Sequence, residues 1–81
     1  MIKVLFFAQT RELLGCDHIE LEACFETVEM LRQHLSQQEG KWSLALQADK
    51  LLAAVNQSIV SMAHPLQAGD EVAFFPPVTG G

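Results

Sequence analysis

One stretch of this sequence carries a strong helical pattern, and strand-like runs lie on both sides of it. Thr27 is suited to cap a helix, because its hydroxyl can accept from an orphan first-turn amide. Glu26 and Glu29 suit the positive end of the helix dipole. Val28, Leu31 and Leu35 follow at i, i+3 and i+7 as a single apolar stripe, with Glu29, Arg32, Gln33 and Ser36 on the wet side. The pattern predicts one main helix from about Thr27 to Gln38, with Gly40 as the residue past its end. A chain with one such helix has one apolar stripe to lay against a sheet.

The strand candidates flank it. "IKVLFFA" is rich in β-branched and aromatic residues, and "TRELLGCD" is expected to close it as a turn around Gly15 and Asp17. "HIELEACF" alternates Ile19, Leu21 and Ala23 against His18, Glu20 and Glu22, the period of a strand with one solvated face. "KWSLALQ" fits a short helix or a short extended piece. "LLAAVN" and "IVSM" are expected as third and fourth strands around a turn at Gln57 and Ser58. "AHPLQAGD" is expected to loop, and "EVAFF" to form the fifth strand.

The order ββαβββ lets the first two strands form a hairpin and the last lie parallel beside the first, by a right-handed crossover. A mixed five-strand sheet with one helix on one face is the α+β arrangement called β-grasp, or ubiquitin-like; other α+β folds share the element order. The 81 residues suit one domain, divided as residues 1–75 for the fold and 76–81 for a flexible arm. With 49% hydrophobic and 19% charged residues, the composition is that of a globular protein.

Partners are restricted by charge. The net charge is −5, and Lys3, Arg11, Arg32, Lys41 and Lys50 are scattered, which argues against nucleic acid. An acidic carrier docking on more basic enzymes fits. No apolar run reaches membrane-span length and the opening carries no signal-peptide pattern, so a cytoplasmic location without membrane association is expected. Cys16 and Cys24 are expected as free thiols. His18, His34 and His64 lack metal-ligand spacing, no metal site is expected, and two cysteines cannot supply the four ligands of an iron–sulfur ferredoxin. Neither a nucleophile motif nor a phosphate-cradling loop is present.

Alternation places Val4, Phe6, Val72 and Phe74 toward the helix. It sends Phe7 and Phe75 to the opposite face, where Ile59 can join them. Two readings stand: an exposed docking patch, or residues covered by "WSLALQ" or a loop. Beyond Phe75, Pro76 and Pro77 fix φ and lack amide hydrogens, so they launch the chain stiffly off the sheet. Residues Pro76, Pro77, Val78, Thr79, Gly80 and Gly81 reach about 20 Å at roughly 3.3 Å per residue. Gly80 and Gly81, without Cβ atoms, can thread a channel closed to other residues. A frayed end is the bland alternative.

"VLFFAQTREL", "LLAAVNQ" and "GDEVAFFPPVTGG" together resemble the small-subunit family of molybdopterin synthase, β-grasp sulfur carriers of molybdenum cofactor biosynthesis. The likeness covers nearly the whole chain and is loose between Gly15 and Phe25 and between Gln37 and Lys50. The resemblance implies that a ubiquitin-activating-like adenylating enzyme uses ATP to convert the carboxylate of Gly81 to an acyl-adenylate. Sulfur delivery then gives a thiocarboxylate. It further implies that residues 76–80 thread the large subunit's active site, where the sulfur passes to cyclic pyranopterin monophosphate. On this view the chain binds no cofactor stably, is no enzyme alone, carries no sulfur on Cys16 or Cys24, and uses Phe7, Ile59 and Phe75 to hold partners. A thiamine-thiazole sulfur carrier and a ubiquitin-like protein modifier are the alternatives.

Overall fold

The computed structural model describes residues 1–38, 40–47 and 51–77, with Gln9 by its backbone alone. Its strands are β1 (Ile2–Phe6), β2 (His18–Leu21), β3 (Leu52–Val55), β4 (Ser58–Val60) and β5 (Glu71–Phe75). Its helices are α1 (Ala8–Leu14), α2 (Val28–Ser36) and α3 (Trp42–Ala45). The strands form a five-stranded sheet in the order β2-β1-β5-β3-β4. The first and last strands meet in parallel register, Val4 beside Val72 and Phe6 beside Phe74. The other pairs are antiparallel, which gives the mixed β-grasp sheet expected from the element order.

The core forms where the sheet meets the helices. Ile2, Val4, Phe6, Val72 and Phe74 are almost wholly buried, and Val28, Leu31 and Leu35 of α2 join the same cluster. Thr27 caps α2 as expected: its Oγ1 accepts from the Met30 N–H at 3.2 Å. The Val28 and Glu29 N–H groups donate to the carbonyls of His64 (3.0 Å) and Met62 (2.8 Å). The first turn of α2 therefore hands its orphan donors to its own cap and to the loop before β5.

Several local expectations fail. The segment expected as a turn after β1 is helix α1, so β1 and β2 are antiparallel neighbours joined by a helix rather than a tight hairpin. Gly15, at φ +74°, ends that helix as a left-handed cap, and its N–H donates to the Arg11 carbonyl at 2.9 Å. Leu13 and Leu14 pack against the core, and this burial favours helix over loop. The element order is therefore βαβααβββ. The ambiguous "KWSLALQ" resolves as α3, whose Trp42 ring meets Phe6 edge-on at 5.6 Å between centroids.

Helix α2 stops at Ser36, short of Gln38 and well before Gly40. Gln37 stays right-handed, and its N–H turns back to the His34 carbonyl. Strand β2 stops at Leu21, and β4 begins at Ser58, one residue before the expected "IVSM". The turn before it uses Asn56 and Gln57, both left-handed at φ +51° and +72°, the geometry that matches the twist of a two-residue hairpin.

Candidate functional site

The opposite face of the sheet is open. Strand register arranges its side chains in rows. Leu52 lies beside Phe75, while Leu5, Ala73, Ala54 and Ile59 follow one another across four strands. The third row is charged: Glu20, Lys3 and Glu71. Two alanines at the centre, flanked by larger residues, make the surface concave. The result is an open hollow of about 350 Å³ lined by Leu5, Phe7, Ala54, Gln57, Ile59, Glu71, Ala73 and Phe75.

All three residues expected on this face line that hollow. Ile59 is 70% exposed and Phe7 46% exposed, with Phe75 half-buried. Helix α3 does not cover them, because Trp42 contacts Phe6 and Leu46 is fully buried in the core on the other side. Phe7 lies just past β1 as the extended cap residue of α1, so its position on the face is fixed where strand turns into helix. Leu52, 37% exposed, is part of the same surface and was missed from the sequence. Only the register that places it beside Phe75 reveals it.

Strand β5 ends at Phe75, in the apolar row, so the arm leaves the sheet at the apolar end of the open face. Pro76 is half-buried and Pro77 exposed. Val78, Thr79, Gly80 and Gly81 lie outside the described residues.

The remaining polar groups serve the fold. Arg32 donates to both carboxylate oxygens of Glu29 at 2.6 Å and to the Leu46 carbonyl at 2.7 Å, tying α2 to the end of α3. The guanidinium holds the Glu29 carboxyl below its ordinary value and is itself held more firmly protonated. On the surface, Asp17 pairs with His18 at 2.8 Å, and that hydrogen bond lowers the Asp17 carboxyl. Cys16 is half-buried and Cys24 exposed, both as free thiols. Among the described residues no His, Cys, Asp and Glu cluster is arranged to hold a metal ion, and no helix is long and apolar enough to cross a membrane.

A family model described as the ThiS family matches residues 4–81. The chain belongs to the ThiS family. This ThiS-family chain is 68% identical to the molybdopterin synthase sulfur carrier subunit of Escherichia coli, over 81 residues that span all of both chains. Its identity to the subunit of the same description from Haemophilus influenzae is 57%, again over the full length of both. Among solved structures it is similar to a chain in the complex of subunits 1 and 2 of the molybdopterin-converting factor from Helicobacter pylori. That likeness has a TM-score of 0.68 and 25% identity, and covers 99% of this chain and 97% of that one.

Proposed function

We propose that this protein is the sulfur-carrier subunit of a molybdopterin synthase and works as a co-substrate rather than as an enzyme alone. The observation that carries the reading is a conjunction. The open apolar face ends at Phe75, where the diproline–diglycine segment begins, and the two full-length relatives at 68% and 57% identity are sulfur carriers of that synthase. These identities favour it over a thiazole-forming carrier or a protein modifier.

The chemistry follows from the weakness of a carboxylate as an electrophile: its charge is delocalised and oxide does not leave. The Gly81 carboxylate attacks the α-phosphorus of ATP on an adenylating enzyme, expelling pyrophosphate. The terminal sulfur of a persulfide donor then attacks the acyl carbon and AMP departs, giving an acyl disulfide. A thiol on the sulfur-delivering protein attacks the donor-side sulfur, ends as a disulfide with it, and releases the thiocarboxylate. In the large subunit that sulfur attacks cyclic pyranopterin monophosphate, the acyl–sulfur bond is hydrolysed, and the carrier returns as a carboxylate. Two such transfers build the dithiolene. Phe7, Ile59, Phe75 and Leu52 form the docking surface for both enzymes, and residues 76–80 thread the channel. ATP is consumed on the adenylating enzyme, so the carrier itself holds no cofactor. The cycle runs in the cytoplasm.

Mass spectrometry after incubation with adenylating enzyme, ATP and a sulfur source tests this. The expected product gains the mass of sulfur replacing one oxygen, localised to the peptide ending in Gly81. One residue appended after Gly81, or deletion of Gly81, should abolish it. Deletion draws the carboxylate back by about 3.3 Å, and attack geometry tolerates little misplacement. Full loading of the extended chain, or sulfur found on a cysteine, overturns the proposal.

A further inference from the structure

Two polar residues, Gln57 and Glu71, are among those that line the apolar hollow, and burial against an apolar partner does not explain them. Gln57 is the second residue of the β3–β4 turn, at φ +72°, a position suited to glycine because a Cβ is strained there. The chain keeps a side chain where its backbone favours none, at a residue that lines the hollow.

The frame beneath is fixed. The Asn56 N–H donates to the Glu71 carbonyl at 2.8 Å, and the Glu71 N–H donates back to Asn56 Oδ1 at 3.1 Å. Asn56 Nδ2 donates to Asp70 Oδ1 at 3.0 Å, while Asp70 Oδ2 accepts from the Gln67 N–H at 2.8 Å. Turn and strand start are thus locked together, with Gln57 and Glu71 held on one rim.

The Glu71 carboxylate has no ion-pair partner among the described residues. Lys3 lies beside it in the register but beside Glu20 as well, so one ammonium faces two carboxylates and the row stays negative. A partner that lays apolar surface over the hollow strips water from Glu71. An unpaired carboxylate in a dry interface is strongly disfavoured unless donors or a cation arrive with the partner.

We infer that Gln57 and Glu71 form a specificity-determining polar rim that takes an arginine side chain of the docking partner. The guanidinium donates to the Glu71 carboxylate and the Gln57 amide oxygen, while neighbouring apolar side chains fill the hollow between Phe75 and Ile59. Arginine fits better than lysine: its planar fork matches a carboxylate and an adjacent acceptor, and it sheds water more readily. The chain's net charge of −5 favours such a partner. The inference rests on the docking reading above.

Calorimetric titration of the synthase large subunit from the same genome, at two ionic strengths, tests it with Glu71→Gln, Gln57→Gly and Phe75→Ala, each checked by thermal unfolding. Glu71→Gln should bind about tenfold more weakly or worse, with a shallower salt dependence. Gln57→Gly should bind several-fold more weakly while unfolding at the wild-type temperature or above, since glycine relieves the strained φ. Phe75→Ala reports the docking face separately. Wild-type affinity and salt dependence in either rim variant, with Phe75→Ala weakened, overturns the inference and leaves the docking face standing. Wild-type affinity in Phe75→Ala overturns both.

Discussion

Ile59→Thr separates docking from folding most cleanly. Threonine keeps the β-branch that suits edge strand β4 but removes most of the apolar reach. Fully burying an isoleucine side chain contributes about 1.5–3 kcal/mol. Ile59 is 70% exposed in the free chain, so less than about 1 kcal/mol of that is realised in the fold. About 1–2 kcal/mol remains to be gained when a partner covers it. The variant should therefore unfold within about 1 kcal/mol of wild type yet bind the large subunit roughly 5- to 30-fold more weakly. Phe74→Ala, at a wholly buried position two strands away on the other face, should instead lose about 3–5 kcal/mol of stability. Urea unfolding followed through Trp42, the one tryptophan and one packed against Phe6, gives the first quantity; titration calorimetry gives the second. A core-sized stability loss in Ile59→Thr, or unchanged affinity, would refute the assignment of Ile59 to the docking surface.

Other consequences are equally direct. The Glu29 carboxyl is held below its ordinary 4.5 by Arg32, so this pair's stabilisation is complete above pH 4.5 and fades as pH falls through the lowered folded value. Urea midpoints across that acid range should decline less steeply in Glu29→Gln than in wild type. Replacing Cys16 and Cys24 together by serine should cost about 1 kcal/mol of stability or less and leave sulfur loading intact, as mass spectrometry of the loaded chain would show. The proposed function has one face serve both enzymes, so adding large subunit to a complex with the adenylating enzyme should displace the carrier. A stable ternary complex on size-exclusion chromatography would exclude a shared face.

What was legible in the sequence follows the strength of local signals. Helix α2 advertises itself with a cap at Thr27, an acid at Glu29 and a buried stripe, and its start was placed correctly. Helix α1 has none of these: Phe7 caps it without a side-chain hydrogen bond, and its first turn holds no acid. Gly15 looked like turn chemistry because a glycine after a helix and a glycine in a turn use the same left-handed backbone. Helix α3, four residues long and uncapped by any side chain, could not be distinguished from an extended piece by period. On the open face, alternation pointed to Phe7 and Phe75, with Ile59 able to join them, but it left open whether "WSLALQ" or a loop covers them. Leu52 needed the β3–β5 register, and Gln57 needed the turn geometry, neither of which is written in periodicity.

The two Phe-Phe doublets explain why core and open face are specified together. In each, one ring goes to the core and the next to the open side: Phe6 and Phe74 are buried, while Phe7 and Phe75 line the hollow. A one-residue slip of either strand would exchange the two sets, exposing core aromatics and burying the rings of the open face at once. Parallel pairing of β1 with β5 brings the doublets side by side, and the arm begins directly after the second. Strand β5 lies between β1 and β3 at the centre of the sheet, the part of the fold with partners on both edges. A carrier that must deliver one terminal atom gains from starting its arm there. Seating the apolar face then fixes where Pro76 points, and prolines that lock φ leave few torsions over which that direction can be lost.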